Sequence, residues 1–238
     1  MAFWSRKEKA DGKVKLLSKY TRGEGRVEFL AEAPDDLDVP EWWRQSVALD
    51  KPGRVALAID QWESVVSSEM SNSIMYFQLC LEDVEFMRVG SSYFLLYSIE
   101  NRQGEMVYFA GGNPNRAKPS ASVQLNWPGV PQSVKSFYEL HDGFFDFQTA
   151  VGFDPLAQVI CLGDEDWGII EQLDLDVQLN LSASLGFFSN RSGGYVVIDT
   201  SRFTNDNAAI WWAVDEPTYD QVFWDVADEW TVADFERE

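Results

Sequence analysis

The sequence predicts an α+β fold. Three observations carry this. RVALAIDQWESVVSSEM (54–70) has apolar residues at helical spacing. It is followed by a series of strand-like runs. FWDVADEWTVADFERE (223–238) returns to helical spacing, with acids between the apolar positions.

The elements follow in order. PEWWRQSVALD predicts a short helix with Pro40 near its first turn. In the 54–70 segment Val55, Ile59, Trp62, Val66 and Met70 share one face. SIMYFQLCL, VEFMRV, SYFLLYSIE and EMVYFAG then read as strands, the last two joined by the hairpin connection NRQG. The first half is thus helices followed by an antiparallel meander. GGNPNRAKPSAS (111–122), rich in Gly, Pro, Asn and Ser, suggests a boundary. Residues 1–112 are either a separate α+β subdomain or extension, or part of one continuous domain with 120–238.

The second half opens with VPQSVKSFYELHDGF. Pro131 suits a first helical turn, and Val134, Phe137, Tyr138 and His141 align at i, i+3, i+4 and i+7. Gly143 stands where a left-handed residue would close the helix. LAQVICLGD, GYVVIDTS and AAIWWAVDE read as strands. YVVID and AIWWAV are too apolar to face water on both sides.

With 45% hydrophobic and 14% aromatic residues, the chain of 238 residues has ample material for a core. No apolar run is long enough to span a membrane. The N-terminal MAFWSRKEKADGKVKLLSKY lacks the apolar region and cleavage site of a secretory signal, which predicts a cytoplasmic protein. Cys80 and Cys161 lie in apolar runs and read as buried free thiols.

The net charge is −20, unevenly spread. Residues 1–27 hold eight Lys/Arg against three Asp/Glu; residues 139–238 hold three against 21. Such an acidic surface repels nucleic acid and anionic lipid and attracts basic protein surfaces.

The residue inventory argues against an enzyme. One histidine, His141, is placed in the last turn of a helix, where capping explains it without catalysis. No phosphate loop, nucleophile elbow, zinc ligand set or calcium loop is present, and GDEDW and DLD do not fit the calcium pattern. RSGGY is a strand-entry turn. No cofactor or metal is expected. The tryptophans offer interface anchors instead: Trp167 beside three acids, and one member of the pair Trp211–Trp212, which alternation should turn outward. Trp42, Trp62 and Trp230 read as core.

The ordered set VPQSVKSFYELHDGF, LAQVICLGD, GGYVVIDTS with AAIWWAVDEP, and FWDVADEWTVADFE resembles the SUKH superfamily over about residues 120–238. This is a large group of bacterial toxin-immunity proteins related to yeast regulators of cell-wall synthesis. The first 120 residues exceed the family's usual N-terminal part, and DEPTYDQV is unusually acidic. The resemblance implies a central, mostly antiparallel sheet flanked by helices, no catalysis, and binding of a toxin that acts in the cytoplasm. Nucleases are the commonest such toxins and have basic active faces. The expected partner is therefore a basic toxin domain whose active site is occluded. The expected partner-binding residues are Asp142, Asp146, Asp164, Glu165, Asp166, Trp167, Trp211, Trp212, Asp215, Glu216, Asp225, Asp228 and Glu229. Two other readings stay open: a scaffold or regulator of the same fold without a toxin, and an enzyme that uses His141.

Overall fold

The computed structural model describes residues 6–21, 23–173, 176–190, 192–202 and 208–237, with residues 6–11 described by backbone alone. The elements run α1 (Arg6–Leu17), β1 (Val27–Phe29), α2 (Glu41–Val47), α3 (Lys51–Val66), α4 (Ser71–Cys80), β2 (Leu81–Val89), β3 (Ser92–Glu100) and β4 (Met106–Gly112). Then come α5 (Ala121–Asn126), α6 (Gln132–Leu140), β5 (Phe144–Asp146), β6 (Gly152–Phe153), β7 (Ile160–Cys161) and α7 (Gly168–Gln172). The chain finishes with β8 (Ser184–Ser189), β9 (Gly194–Asp199), β10 (Ala208–Trp212), β11 (Thr218–Gln221) and α8 (Phe223–Phe235). Arg191, Asp174 and Leu175, within the RSGGY and DLD stretches, lie outside the described residues.

The fold is α+β around one central antiparallel sheet, ordered β1-β2-β3-β4-β5-β6-β8-β9-β10-β11, with β7 also paired to β8. The sheet runs without a break past the Gly/Pro/Asn-rich stretch: β4 pairs with β5, Phe109 opposite Asp146 and Gly111 opposite Phe144. Strand alternation sorts the side chains onto two faces. Val84, Phe86, Leu95, Tyr97, Ile99, Val107, Phe109, Val196 and Ile198 point to the main core, shared with α2, α3, α4, α6 and α8. Met87, Val89, Leu96, Tyr108 and Ala110 point the other way and meet Leu17 of α1. Lys13 fixes α1 there by bonding Glu85 and the Ser98 hydroxyl, with its ammonium over the Phe29 and Tyr108 rings. Further along that face, Leu162, Val197 and Trp211 form a third apolar cluster.

Helix α3 has the expected face. Trp62 and Val66 are buried and Val55 and Ile59 pack on the core, while Asp50 caps its first turn by accepting the Gly53 amide at 3.1 Å; the helix ends at Val66, so Met70, also buried, lies beyond it at the N-cap of α4. The hairpin at 101–104 closes on Gly104 (φ 82°), with Asn101 Oδ1 accepting the Gln103 and Glu105 amides.

Several expectations need correction. SIMYFQLCL is not a strand: Ser73–Cys80 belong to α4, with Ile74, Tyr76 and Phe77 buried and Met75 and Leu79 on the open side. Cys80 is thus the last helical residue, half-buried, and both cysteines are free. LAQVICLGD yields only the two-residue β7 before a short turn at 162–164. At the end of α6, His141 already has extended backbone, and the left-handed residue is Gly143 (φ 77°), two positions later. A Cβ there would stand 2.6 Å from the Pro155 nitrogen, so the close strand packing also requires glycine.

Candidate partner-binding surface

Two of the expected acidic groups lie on opposite faces of the sheet: Asp164, Glu165 and Asp166 beside the third cluster, and Asp225 and Glu229 on α8. Trp211 and Trp212 divide them. Trp211 is fully buried in the third cluster. Trp167 meets its ring edge-on at 5.4 Å and Tyr195 at 6.2 Å, and donates its indole N–H to the Leu162 carbonyl at 2.8 Å. The indole is therefore spent on anchoring its own loop, half-buried. This anchor holds Asp164, Glu165 and Asp166 outward, all three exposed.

Trp212 lies on the other face, half-buried, with its ring 6.3 Å from Trp230 of α8. It also closes over Gly194, where a Cβ would approach the indole to 2.6 Å. So neither member of the pair is an open anchor: the outward neighbour of a buried tryptophan is covered by a helix. Asp215 and Glu216 are exposed in the turn between β10 and β11. On α8, Asp225 and Glu229 are exposed one turn apart.

Three expected contact residues have no usable surface. Asp228 is buried and accepts the Asn72 amide, the Ser73 amide and the Ser73 hydroxyl. Asp146 is fully buried, accepts the Gln148 and Thr149 amides and the Thr149 hydroxyl, and pairs with Arg237 at 2.9 Å. Trp211 is the third. In each case the group satisfies a backbone or fills the core. Asp142 is half-buried; its Oδ1 accepts the Leu156 amide at 2.8 Å, and burial pushes its carboxyl up.

Around Asp225 and Glu229 the structure adds residues the sequence did not suggest. A groove of about 440 Å³ runs between α4 and α8, lined by Glu69, Met75, Leu79, Asp225, Glu229 and Val232, among others. Met75 is 53% and Leu79 76% exposed, unusually open for such side chains. Their i, i+4 spacing was the available signal, hidden while the segment reads as a strand.

No protein-family model, curated protein or solved structure matches this chain.

His141 stands apart from both groups. It is fully buried, ringed by Trp42, Trp43, Trp62, Tyr97 and Phe144. Trp62 donates to the Tyr97 hydroxyl at 3.1 Å, and that hydroxyl lies 2.9 Å from His141 Nε2. With the hydroxyl donating onward to Nε2, the proton falls to Nδ1, which is buried against the Gly112 backbone. Burial pushes the imidazole down to about 3, so it is neutral at pH 7. Among the described residues no group of three or more His, Cys, Asp or Glu is placed to hold a metal ion, and no helix is long and apolar enough to cross a membrane.

Proposed function

We propose that this protein binds a basic protein partner through the groove between α4 and α8, as an immunity protein of the SUKH type binds and blocks a toxin in the cytoplasm. The observation that carries this reading is the pairing of two exposed apolar side chains, Met75 and Leu79, with three carboxylates, Glu69, Asp225 and Glu229, while Arg102 on the same lining is paired with Glu236. Apolar anchors supply affinity, and the acidic rim steers a basic surface onto them. The net charge of −20 extends that attraction over longer range at low salt. A nuclease-like domain, basic where it holds phosphates, is the partner such a face suits, and covering that face would block it. The exposed acids at 164–166 lie on the other face of the sheet and contribute to the long-range field.

The test uses the full chain as bait in lysate of its native cells at low and moderate salt. The expected result is one basic protein, retained at low salt and released as salt rises. With that protein purified, Asp225→Lys with Glu229→Lys should slow association by about tenfold or more, as expected for reversed charges at an interface. Asp164→Lys, Glu165→Lys and Asp166→Lys together should slow it far less. The opposite ranking would move the interface to the 164–167 loop. Recovery of no basic protein would favour the scaffold reading.

A further inference from the structure

A second concavity lies on the opposite side of the protein from the α4/α8 groove, where the sheet meets the loops after α1, β4 and β6. Its volume is about 390 Å³, within the range of small-molecule sites. One wall is apolar: Phe94 and Phe145 meet edge-on at 6.3 Å and are only partly covered. Another wall is carboxylate. Asp154 is 9% exposed, and its Oδ1 accepts the Ser189 hydroxyl at 3.0 Å. No described residue donates a hydrogen bond to its Oδ2. Asp142 joins it, with Oδ1 taken by the Leu156 amide and Oδ2 free of any described donor. The exposed Glu24 after α1 also lines the cavity, as do Arg116 and Lys118, exposed on the connection after β4. Neither forms an ion pair among the described residues.

A carboxyl that is 9% exposed and opens its second oxygen only onto a cavity holds its charge at a cost unless something in the cavity donates to it. Oδ1 serves the Ser189 hydroxyl, whereas Oδ2 has no such role in the fold. The vacant acceptors call for a cationic donor, and aromatic walls favour a protonated amine. The two unpaired cations call for an anionic group on the same molecule. We propose that this cavity binds a small zwitterion, an α-amino acid or a close relative, with its amine on Asp142 and Asp154, its acid group on Arg116 and Lys118, and its body against Phe94 and Phe145. Burial, which pushes the Asp154 carboxyl up to about 7, has the same origin as this demand for a donor.

The connection carrying Arg116 and Lys118 is the Gly/Pro/Asn-rich stretch at 111–122. Since the sheet does not break there, that composition is free to serve the cavity. Asn113 pins the connection by donating to the Asp38 carbonyl at 2.7 Å and accepting the Asn115 amide.

The experiment is calorimetric titration of the full chain with the proteinogenic amino acids, L-phenylalanine first. Two halves of that molecule follow: phenethylamine, which lacks the acid, and 3-phenylpropanoate, which lacks the amine. At least one amino acid should bind saturably, and its amine-only and acid-only analogues should bind about tenfold more weakly or worse. Asp154→Asn keeps the shape and the acceptor for Ser189. It should weaken the amino acid by about tenfold and leave the acid-only analogue unchanged. Arg116→Ala with Lys118→Ala, both exposed and harmless to folding, should do the reverse. No saturable binding by any amino acid up to about 10 mM would overturn the proposal. So would binding that Asp154→Asn and the Arg116/Lys118 double variant leave unchanged.

Discussion

Asp228 of α8 caps α4 from a distance of 155 residues, its Oδ1 taking both the amide and the hydroxyl of Ser73. Oδ2 accepts the Asn72 amide at 2.9 Å, and the residue at the helix's own N-cap position, Met70, has no side chain able to accept. A carboxylate at this end also meets the positive pole of the helix. Asp228→Ala should cost roughly 2–3 kcal/mol, the loss of a cap plus hydrogen bonds to a charged group. Urea unfolding checks it: the midpoint should fall with the slope unchanged. Asp225→Ala, one turn earlier and exposed, should change stability by less than about 0.5 kcal/mol.

Arg237 shields the carboxylate of Asp146, which is fully buried. Arg237→Ala leaves that charge with the two amides and the hydroxyl of its own turn. Those donors hold the cost to roughly 2 kcal/mol, below the 3–5 typical of a buried pair broken with nothing else to hold it. Thermal unfolding of Arg237→Ala reads this out.

Gly111 faces the imidazole of His141, and a Cβ there would stand 2.3 Å from Nδ1. The ring is boxed in by aromatics and has nowhere to shift. Gly111→Ala should destabilise by about 1–3 kcal/mol, the usual cost of overpacking a filled core. Gly104→Ala, with open space around it but φ at 82°, should cost less. Parallel denaturation curves separate the two.

His141 and Asp154 set opposing dependences on pH. His141 has an ordinary value of 6.5 and about 3 in the fold, so between these the unfolded chain binds the extra proton. Stability from this residue is complete above 6.5 and is lost as pH falls toward 3. Asp154 has an ordinary value of 3.8 and about 7 in the fold, so in that window the folded protein binds the extra proton. Its contribution rises as pH falls from 7 to 4. Between pH 4 and 6.5 the two offset each other. Asp154→Asn removes one side of this balance, and its folding constant should drop by about tenfold per pH unit from pH 6 to 4 relative to the parent. A parallel response of parent and variant would refute the assignment.

The sequence made α3, α6 and the β2–β4 meander legible because their signals are local. Helical spacing and the Asn101–Gly104 turn lie within a few residues of what they shape. Helix α4 was hidden because its cap comes from α8 and its apolar, aromatic run suits a strand equally well. The exposed acids at 164–166, 215–216, 225 and 229 were readable as surface. Asp146 and Asp228 were not separable from them, since a carboxylate facing water and one holding a distant backbone amide have the same letter. The Asp142–Asp154 cavity was invisible for the same reason: it is made where loops far apart in the sequence meet the sheet.

Helix α8 has a consequence for how the protein is made. Phe235 packs against Tyr76, Phe77 and Phe109, Glu236 accepts the Tyr76 hydroxyl, and Asp228 holds the start of α4. All these partners are synthesised more than a hundred residues earlier. A ribosome that has extruded residues 1–200 has released a first half with an uncapped helix and an unfilled hole beside Phe77. That nascent chain waits, half-assembled, until residues 223–237 arrive to close it.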